Sequence, residues 1–373
     1  MNILHQLAGL GQSIWYDNIS RHMLRSGTLQ RMVDDGLLGV TSNPTIFDNA
    51  ISGSPDYDEQ ITALVRANPG VPTPSLIRTL METDISGAAD ILLPVYHRTG
   101  GKDGYVSIEV DPTKARDTEG TIREAAEIWA DLKRPNVMIK IPATLEGLPA
   151  ITRTIAAGIN VNVTLIFSET RYRQVVDAWM CGLEERVKAG QGIAAVASVA
   201  SVFVSRIDTM VDERLSVLAE RAPAGKAAHL RSLAGRAAVA NSRLVYAAFK
   251  EITASGRWKA LKAGGATVQR PLWGSTGTKN KAYSDLMYVE SLIGPDTVNT
   301  VPPATYAAIL SHCKAAPAIE AGVPEAAALI GHLQAEGISM SEVLGALERD
   351  GVASFERSFD GLSRNVDNKR KAS

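Results

Sequence analysis

Eight short runs rich in β-branched residues alternate with longer, alanine-rich segments of helical character, and few folds accommodate that rhythm. The strand candidates are "SIWYD" (13–17), "LLGVTSN" (37–43), "VSIEVD" (106–111), "NVMIKIPA" (136–143), "GINVNVTLIF" (158–167), "AAVASVASVFV" (194–204), "TVQRPLWGS" (267–275) and "DTVNTVPP" (296–303). Helical patterns fall between them, such as "GTIREAAEIWADLKR" (120–134) and "SETRYRQVVDAWMCGLEERVKAG" (168–190). The second opens on Ser168 as an N-cap and stops at Gly190. Strands interleaved with helices build a parallel sheet, and eight is the number that closes a (β/α)8, or TIM, barrel. Residues 1–358 are read as one such domain. The connections at 44–105 and 205–266 are too long for simple crossovers, so extra helices are expected in both, packed around the barrel. The stretch 304–358 reads as further terminal helices. The charged, small-residue-rich ending "NVDNKRKAS" points to a flexible tail over 359–373.

A parallel strand covered by helices and filled from within is ordinarily apolar on both faces. Three consecutive segments here are not. Val106, Ile108 and Val110 oppose Ser107, Glu109 and Asp111. Val137, Ile139 and Ile141 oppose Met138, Lys140 and Pro142. Ile159, Val161, Val163 and Leu165 oppose Asn160, Asn162 and Thr164. An antiparallel sheet with one wet face explains any one of these strands. Three in succession, separated by helices, fit inward-facing polar groups at the mouth of a barrel.

Lys140, in "NVMIKIPAT", is the most informative of these groups. Shielding from water favours the neutral amine, the form that attacks carbonyls to make Schiff bases. Carboxylates at Asp17 and Glu109 can move protons. Asn43, Asn162 and Thr164 can hold hydroxyl groups, and Arg206 and Lys279 can bind a phosphate. This inventory suits a class I aldol reaction on a sugar phosphate. Local alternatives stand beside it. Asp17 can cap a helix beginning near Ile19, Arg206 can pair with Asp208, and Ser201 and Thr164 can satisfy backbone groups. Asp111, before Pro112, is expected to start a turn.

Composition removes several other classes. With a net charge of -1 and a pI near 6.6, nothing advertises nucleic acid or an anionic membrane as a partner. The longest uncharged apolar stretch, "GIAAVASVASVFVS" (192–205), is too short to span a bilayer. The N-terminal residues lack the pattern of a signal peptide, and two distant cysteines, Cys181 and Cys313, match neither a disulfide framework nor a metal spacing. A cytoplasmic protein is expected. The six histidines are scattered, so no metal site is expected. "GQGIAA" follows a helix and opens a strand, the reverse of a dinucleotide site.

Taken together, the segments "SIWYDNISR", "GVTSNPTIF", "VSIEVDP", "NVMIKIPAT", "INVNVTLIFS", "SVFVSRID" and "LWGSTGTKN" resemble, in order and over nearly the whole chain, the transaldolase family in its longer bacterial form. The resemblance implies a cofactor-free enzyme of the pentose phosphate pathway that moves a dihydroxyacetone unit between sugar phosphates. It further implies Lys140 as the Schiff-base lysine, Asp17 as the acid/base aspartate, and Glu109 acting through a water that Thr164 positions. Asn43, Asn162 and Ser201 would bind the dihydroxyacetone fragment and Arg206 the phosphate. After the seventh strand the shorter branch of the family has a serine and an arginine. Here Ser275, Thr276 and Lys279 would supply the hydroxyls and positive charge, without an arginine's bidentate grip. Two rival readings are a fructose 6-phosphate aldolase, which releases dihydroxyacetone to water, and a non-catalytic sugar-phosphate-binding barrel.

Overall fold

The computed structural model describes residues 2–372. Eight strands, β1 (Gln12–Tyr16), β2 (Gly39–Val40), β3 (Tyr105–Glu109), β4 (Val137–Pro142), β5 (Val161–Ile166), β6 (Ser198–Phe203), β7 (Arg270–Gly274) and β8 (Thr297–Val301), close into one barrel in sequence order. Every neighbouring pair is parallel, including β1 with β8. The (β/α)8 expectation is borne out.

The two-faced strands now have a physical cause. Their β-branched residues, among them Val106, Ile108, Ile139, Ile141, Val161 and Val163, point outward into the main core beneath the helices. Inside the barrel, a separate apolar layer of Trp15, Tyr105, Met138, Val199, Leu272 and Val298 forms a plug. Met138 lies two residues before Lys140 on β4, so the lysine sits one layer above the plug. Gly39 is required here. A Cβ at that position would lie 2.5 Å from the Trp15 indole. Strand register then levels the polar groups, with Glu109 opposite Lys140 and Lys140 opposite Asn162.

The long connections hold extra helices as expected. Residues 44–105 include Pro44–Ser52, Asp58–Ala67 and Thr73–Arg98. They are tied to the start of the chain by a buried Arg21–Asp84 ion pair of 2.9 Å, with Tyr57 donating to the same carboxylate at 2.7 Å. Residues 205–266 include Ser205–Glu220, Ala224–Ser232, Ala237–Ala254 and Gly256–Ala263.

The tail expectation is corrected. One helix, Met340–Ala372, runs through 359–372 without a break, and only Ser373 of that segment lies outside the described residues. Phe355, Phe359, Leu362 and Val366 recur at helical spacing, and the last two are fully buried. Polar groups of the same stretch are engaged. Arg370 donates to the Val71 carbonyl at 2.8 Å, Lys369 to that of Ser54 at 2.9 Å, and Asn365 to Asp48 at 2.6 Å. What reads as a solvated charge run is the outer face of an amphipathic helix, and its earlier turns carry Phe355 to the barrel mouth.

Candidate active site

At the C-terminal ends of the strands lies a cavity of about 740 Å³. Asp17, Asn43, Lys140, Thr164, Ser201, Arg206, Ser275 and Lys279 line it, eight of the eleven residues expected from sequence. Glu109 and Asn162 stand directly behind this lining. Glu109 Oε2 is 3.6 Å from Lys140 Nζ. Asn162 accepts from the Ser201 hydroxyl at 2.6 Å and donates to the Ser107 hydroxyl at 2.9 Å. Thr276 is not brought to the cavity. Its fully buried hydroxyl donates to Asn299 at 2.9 Å and to the Thr300 carbonyl at 3.2 Å. Ser275, at φ +54°, occupies the left-handed region, and this turn sends the two neighbouring hydroxyls to different places.

Lys140 is 5% exposed. Its Nζ donates to the Ser42 carbonyl at 2.9 Å and faces the Phe355 ring at 5.8 Å. The amine is held by one carbonyl and one carboxylate, with the Phe355 ring on another side, which fixes its direction without saturating it. Asp17 follows β1, and its backbone N–H donates to the Val301 carbonyl at 2.9 Å. Thr41 donates to its carboxylate at 2.7 Å and also lies 2.6 Å from the Thr300 hydroxyl. Burial raises the Asp17 pKa, opposed by the Lys140 charge, the Thr41 bond and the Lys279 charge. Asp17 is not the helix cap. Ser20 caps the following helix, accepting from the Met23 N–H at 3.2 Å.

Burial pushes Glu109 up to about 7, against the opposing pull of Lys140. Its Oε2 and the Thr164 hydroxyl are both buried without a hydrogen-bond partner in the protein. Two unsatisfied polar atoms beside a lysine are costly unless a water or a substrate hydroxyl meets them. Just beyond Thr164, β5 carries a register shift between Val163 and Ile166, with Leu165 at φ +60°. A leucine in the left-handed region is strained, and such strain concentrates at functional sites. Position 351 of the C-terminal helix is a glycine whose Cβ would meet Leu165 at 3.0 Å. The bulge and the glycine together let that helix approach closely enough for Phe355 to reach the mouth.

The raised Glu109 value has a consequence for stability. The folded protein keeps a proton on Glu109 up to about pH 7, whereas the unfolded chain releases it near its ordinary value of 4.5. Between those values the native state binds more protons, so rising pH weakens the fold at this site. Glu109→Gln carries no charge at any pH. Relative to the parent, its melting temperature should therefore rise from pH 5 to pH 8, as thermal denaturation at the two values would show. A constant difference would mean that Glu109 titrates alike in both states.

Arg206 begins the helix Ser205–Glu220, with its guanidinium 5.7 Å from the Phe203 ring. It does not pair with Asp208, which instead accepts from the Tyr288 hydroxyl and the Ala238 N–H, each at 2.8 Å. Burial lowers the Arg206 pKa. Ser205 and Ser275 bond through backbone and side chain at 3.0 and 3.1 Å, placing the Arg206 helix start beside the loop that carries Ser275 and Lys279. A helix start, a guanidinium and an ammonium around one cavity can hold an anion. Asn43 caps the helix Pro44–Ser52 while lining the cavity, and Asp111 starts the turn expected before Pro112.

Sequence reasoning missed Thr41 and Phe355. Thr41 lies two residues before Asn43, and strand alternation alone would have put both on one face. Phe355 had no local signal, because only the course of the C-terminal helix brings it to Lys140. Among the described residues, no group of three or more His, Cys, Asp or Glu side chains could hold a metal ion. No helix there is long and apolar enough to cross a membrane.

The chain is similar in sequence to known proteins over nearly its whole length. A sequence model of the family described as transaldolase/fructose-6-phosphate aldolase matches residues 14–366. The chain is 47% identical over 365 residues to a Saccharopolyspora erythraea protein named transaldolase, covering 97% of this chain and 96% of that one. It is 46% identical over 376 residues to transaldolase 2 of a Nostoc species, covering 100% and 98%. With a Thermobifida fusca protein named transaldolase, identity is 48% over 361 residues, covering 96% of each.

Proposed function

The chain belongs to the transaldolase/fructose-6-phosphate aldolase family, and on that premise we propose that it is a transaldolase that works through a Schiff base on Lys140. The observation that carries this reading is a buried amine aimed into a polar cavity between two carboxylates of raised pKa, Asp17 and Glu109.

Neutral Lys140 attacks the C2 carbonyl of a ketose phosphate, fructose 6-phosphate or sedoheptulose 7-phosphate, and loss of water leaves an iminium. Glu109, with Thr164, relays the protons that this dehydration needs, through a water meeting their unpartnered oxygens. Asp17 removes the C4 hydroxyl proton, the C3–C4 electrons flow into the iminium, and an aldose phosphate departs. The three-carbon enamine stays bound, its hydroxyls held by Asn43, Ser201 and Asn162, and adds to a second aldose phosphate. Hydrolysis of the new imine then frees Lys140. Phe355 and Phe203 keep water from the bound enamine, so transfer outruns release. The lysine is the electron sink, and no cofactor enters the scheme. This exchange of dihydroxyacetone units belongs to the pentose phosphate pathway. A cytoplasmic location fits the two unpaired cysteines, Cys181 and Cys313.

A coupled assay with and without an acceptor aldose phosphate tests the reading. Consumption of fructose 6-phosphate should depend on erythrose 4-phosphate and yield sedoheptulose 7-phosphate. Sustained release of free dihydroxyacetone without acceptor would make the protein an aldolase instead.

The phosphate is assigned to Arg206, with Lys279 and Ser275. A charge-assisted hydrogen bond contributes about 1.5–3 kcal/mol, and this one is made in both ground and transition states. Arg206→Ala should therefore raise KM roughly 10–100-fold with little change in kcat. Inorganic phosphate should compete with substrate in the parent and lose that effect in the variant. An unchanged KM would put the anion elsewhere.

A further inference from the structure

The helix Ser205–Glu220, which carries Arg206, presents two carboxylates at i,i+4 spacing, Asp208 and Asp212. Asp208 accepts from the Ala238 N–H on one oxygen and from the Tyr288 hydroxyl on the other, each at 2.8 Å. Asp212 repeats the pattern one turn later, accepting from the Gly235 N–H at 2.9 Å and the Tyr283 hydroxyl at 2.7 Å. Each carboxylate thus joins three segments: the Arg206 helix, the entry to the helix Ala237–Ala254, and the chain that follows β7. The Tyr283 ring lies directly on Gly235, where a Cβ would come within 2.6 Å of it, and Gly235 itself has φ +70°. A side chain is excluded there on both counts. Asp208 and Tyr288 are 1% and 2% exposed and belong to the core. Asp212 and Tyr283 are only partly buried, so core packing does not account for the second clamp.

Tyr283 belongs to the loop 275–286, which brings Ser275 and Lys279 to the catalytic cavity and contains no helix or strand. Its base is fixed by the bonds of Ser275 to Ser205 and of Thr276 to Asn299. Beyond them the chain folds back on itself. The Thr278 hydroxyl donates to the Ser284 carbonyl at 2.9 Å, and the Tyr283 and Ala282 N–H groups donate to the Asn280 carbonyl and side chain at 3.1 and 2.9 Å. This conformation selects between two exposed lysines. Lys279 lines the cavity, and Lys281, on the other side of Asn280, does not. An exposed lysine on an irregular loop helps to hold an anion only as far as the loop is already held, because ordering it on binding offsets the gain. Burial and the bond to Asp212 raise the Tyr283 pKa, so its hydroxyl keeps the proton that it donates.

We propose that Asp212 and Tyr283 are positioning residues that hold Lys279 at the mouth of the cavity for the substrate phosphate. The proposal rests on the assignment of that phosphate to Arg206, Lys279 and Ser275. Neither positioning residue lines the cavity, so they act on binding and not on the chemical steps. Tyr283→Phe keeps the ring on Gly235 and removes only the donated bond. With saturating fructose 6-phosphate as donor and glyceraldehyde 3-phosphate release as the signal, its KM for erythrose 4-phosphate should rise about 3–10-fold. Its kcat should stay within about twofold of the parent, and kcat/KM for unphosphorylated erythrose should not change. Lys279→Ala should show the same split more strongly, and the double variant should be no worse than Lys279→Ala alone. An unchanged KM in Tyr283→Phe, an equal loss with erythrose, or additive losses in the double variant would overturn the positioning role while leaving Lys279 a phosphate ligand. An unchanged KM in Lys279→Ala would overturn both, and so marks failure of the phosphate assignment itself.

Discussion

Replacing Asp17 with alanine should lower turnover by about 10²–10⁴-fold, the usual contribution of a positioned general base, while leaving capture of the donor intact. The separation arises because two strands divide the work proposed here. Imine formation needs the amine of Lys140 on β4 and the proton relay at Glu109, and neither contacts Asp17 by hydrogen bond. Cleavage of C3–C4 additionally needs a base at the C4 hydroxyl. Asp17 lines the cavity with its carboxylate oriented by Thr41 at 2.7 Å, and burial keeps its proton affinity above that of a free aspartate. Borohydride added to the variant with fructose 6-phosphate should therefore trap the intact six-carbon ketose phosphate. Near-normal turnover would reduce Asp17 to a structural partner of Thr41. Failure to trap any adduct would make it a support for Lys140 and would require the two roles to be redrawn.

Lys140→Arg should be the most damaging single change, with turnover falling on the order of 10⁴-fold or more. Arginine keeps a positive charge opposite Glu109, so the electrostatic surroundings of the carboxylates change little. It cannot form an imine at neutral pH, because its guanidinium does not give up a proton. The variant thus separates the covalent role from the charge. Circular dichroism should match the parent, and fructose 6-phosphate should still bind through Arg206 and Lys279. Retained turnover would mean that the ammonium acts only as an electrostatic partner and that no covalent step passes through it.

Much of this was legible before the structure, and the physical reason is specific. A barrel strand must send β-branched residues outward under the helices, so polar residues on the opposite face of β3, β4 and β5 had only the interior left to face. That argument identified Glu109, Lys140, Asn162 and Thr164 as a group, and registers across β3–β4–β5 bring the first three to one level, with Thr164 two residues further on opposite Pro142. What stayed hidden depends on contacts between distant residues. Phe355 reaches Lys140 because a bulge at Leu165 and a glycine at 351 let a helix from the far end of the chain come close. The charges of 359–372 suggested a solvated tail, because their partners Asp48, Ser54 and Val71 are about 300 residues away. Thr276 was placed with Ser275 by adjacency in sequence, but a left-handed turn at Ser275 divides them.

The most direct test of the central claim is borohydride trapping on the unsubstituted protein during turnover of fructose 6-phosphate, followed by peptide mass spectrometry. Reduction of the bound imine should leave a stable three-carbon adduct on the peptide containing Lys140 and inactivate the enzyme in step with labelling. An adduct on another lysine, or continued turnover with none formed, would contradict the Schiff-base account.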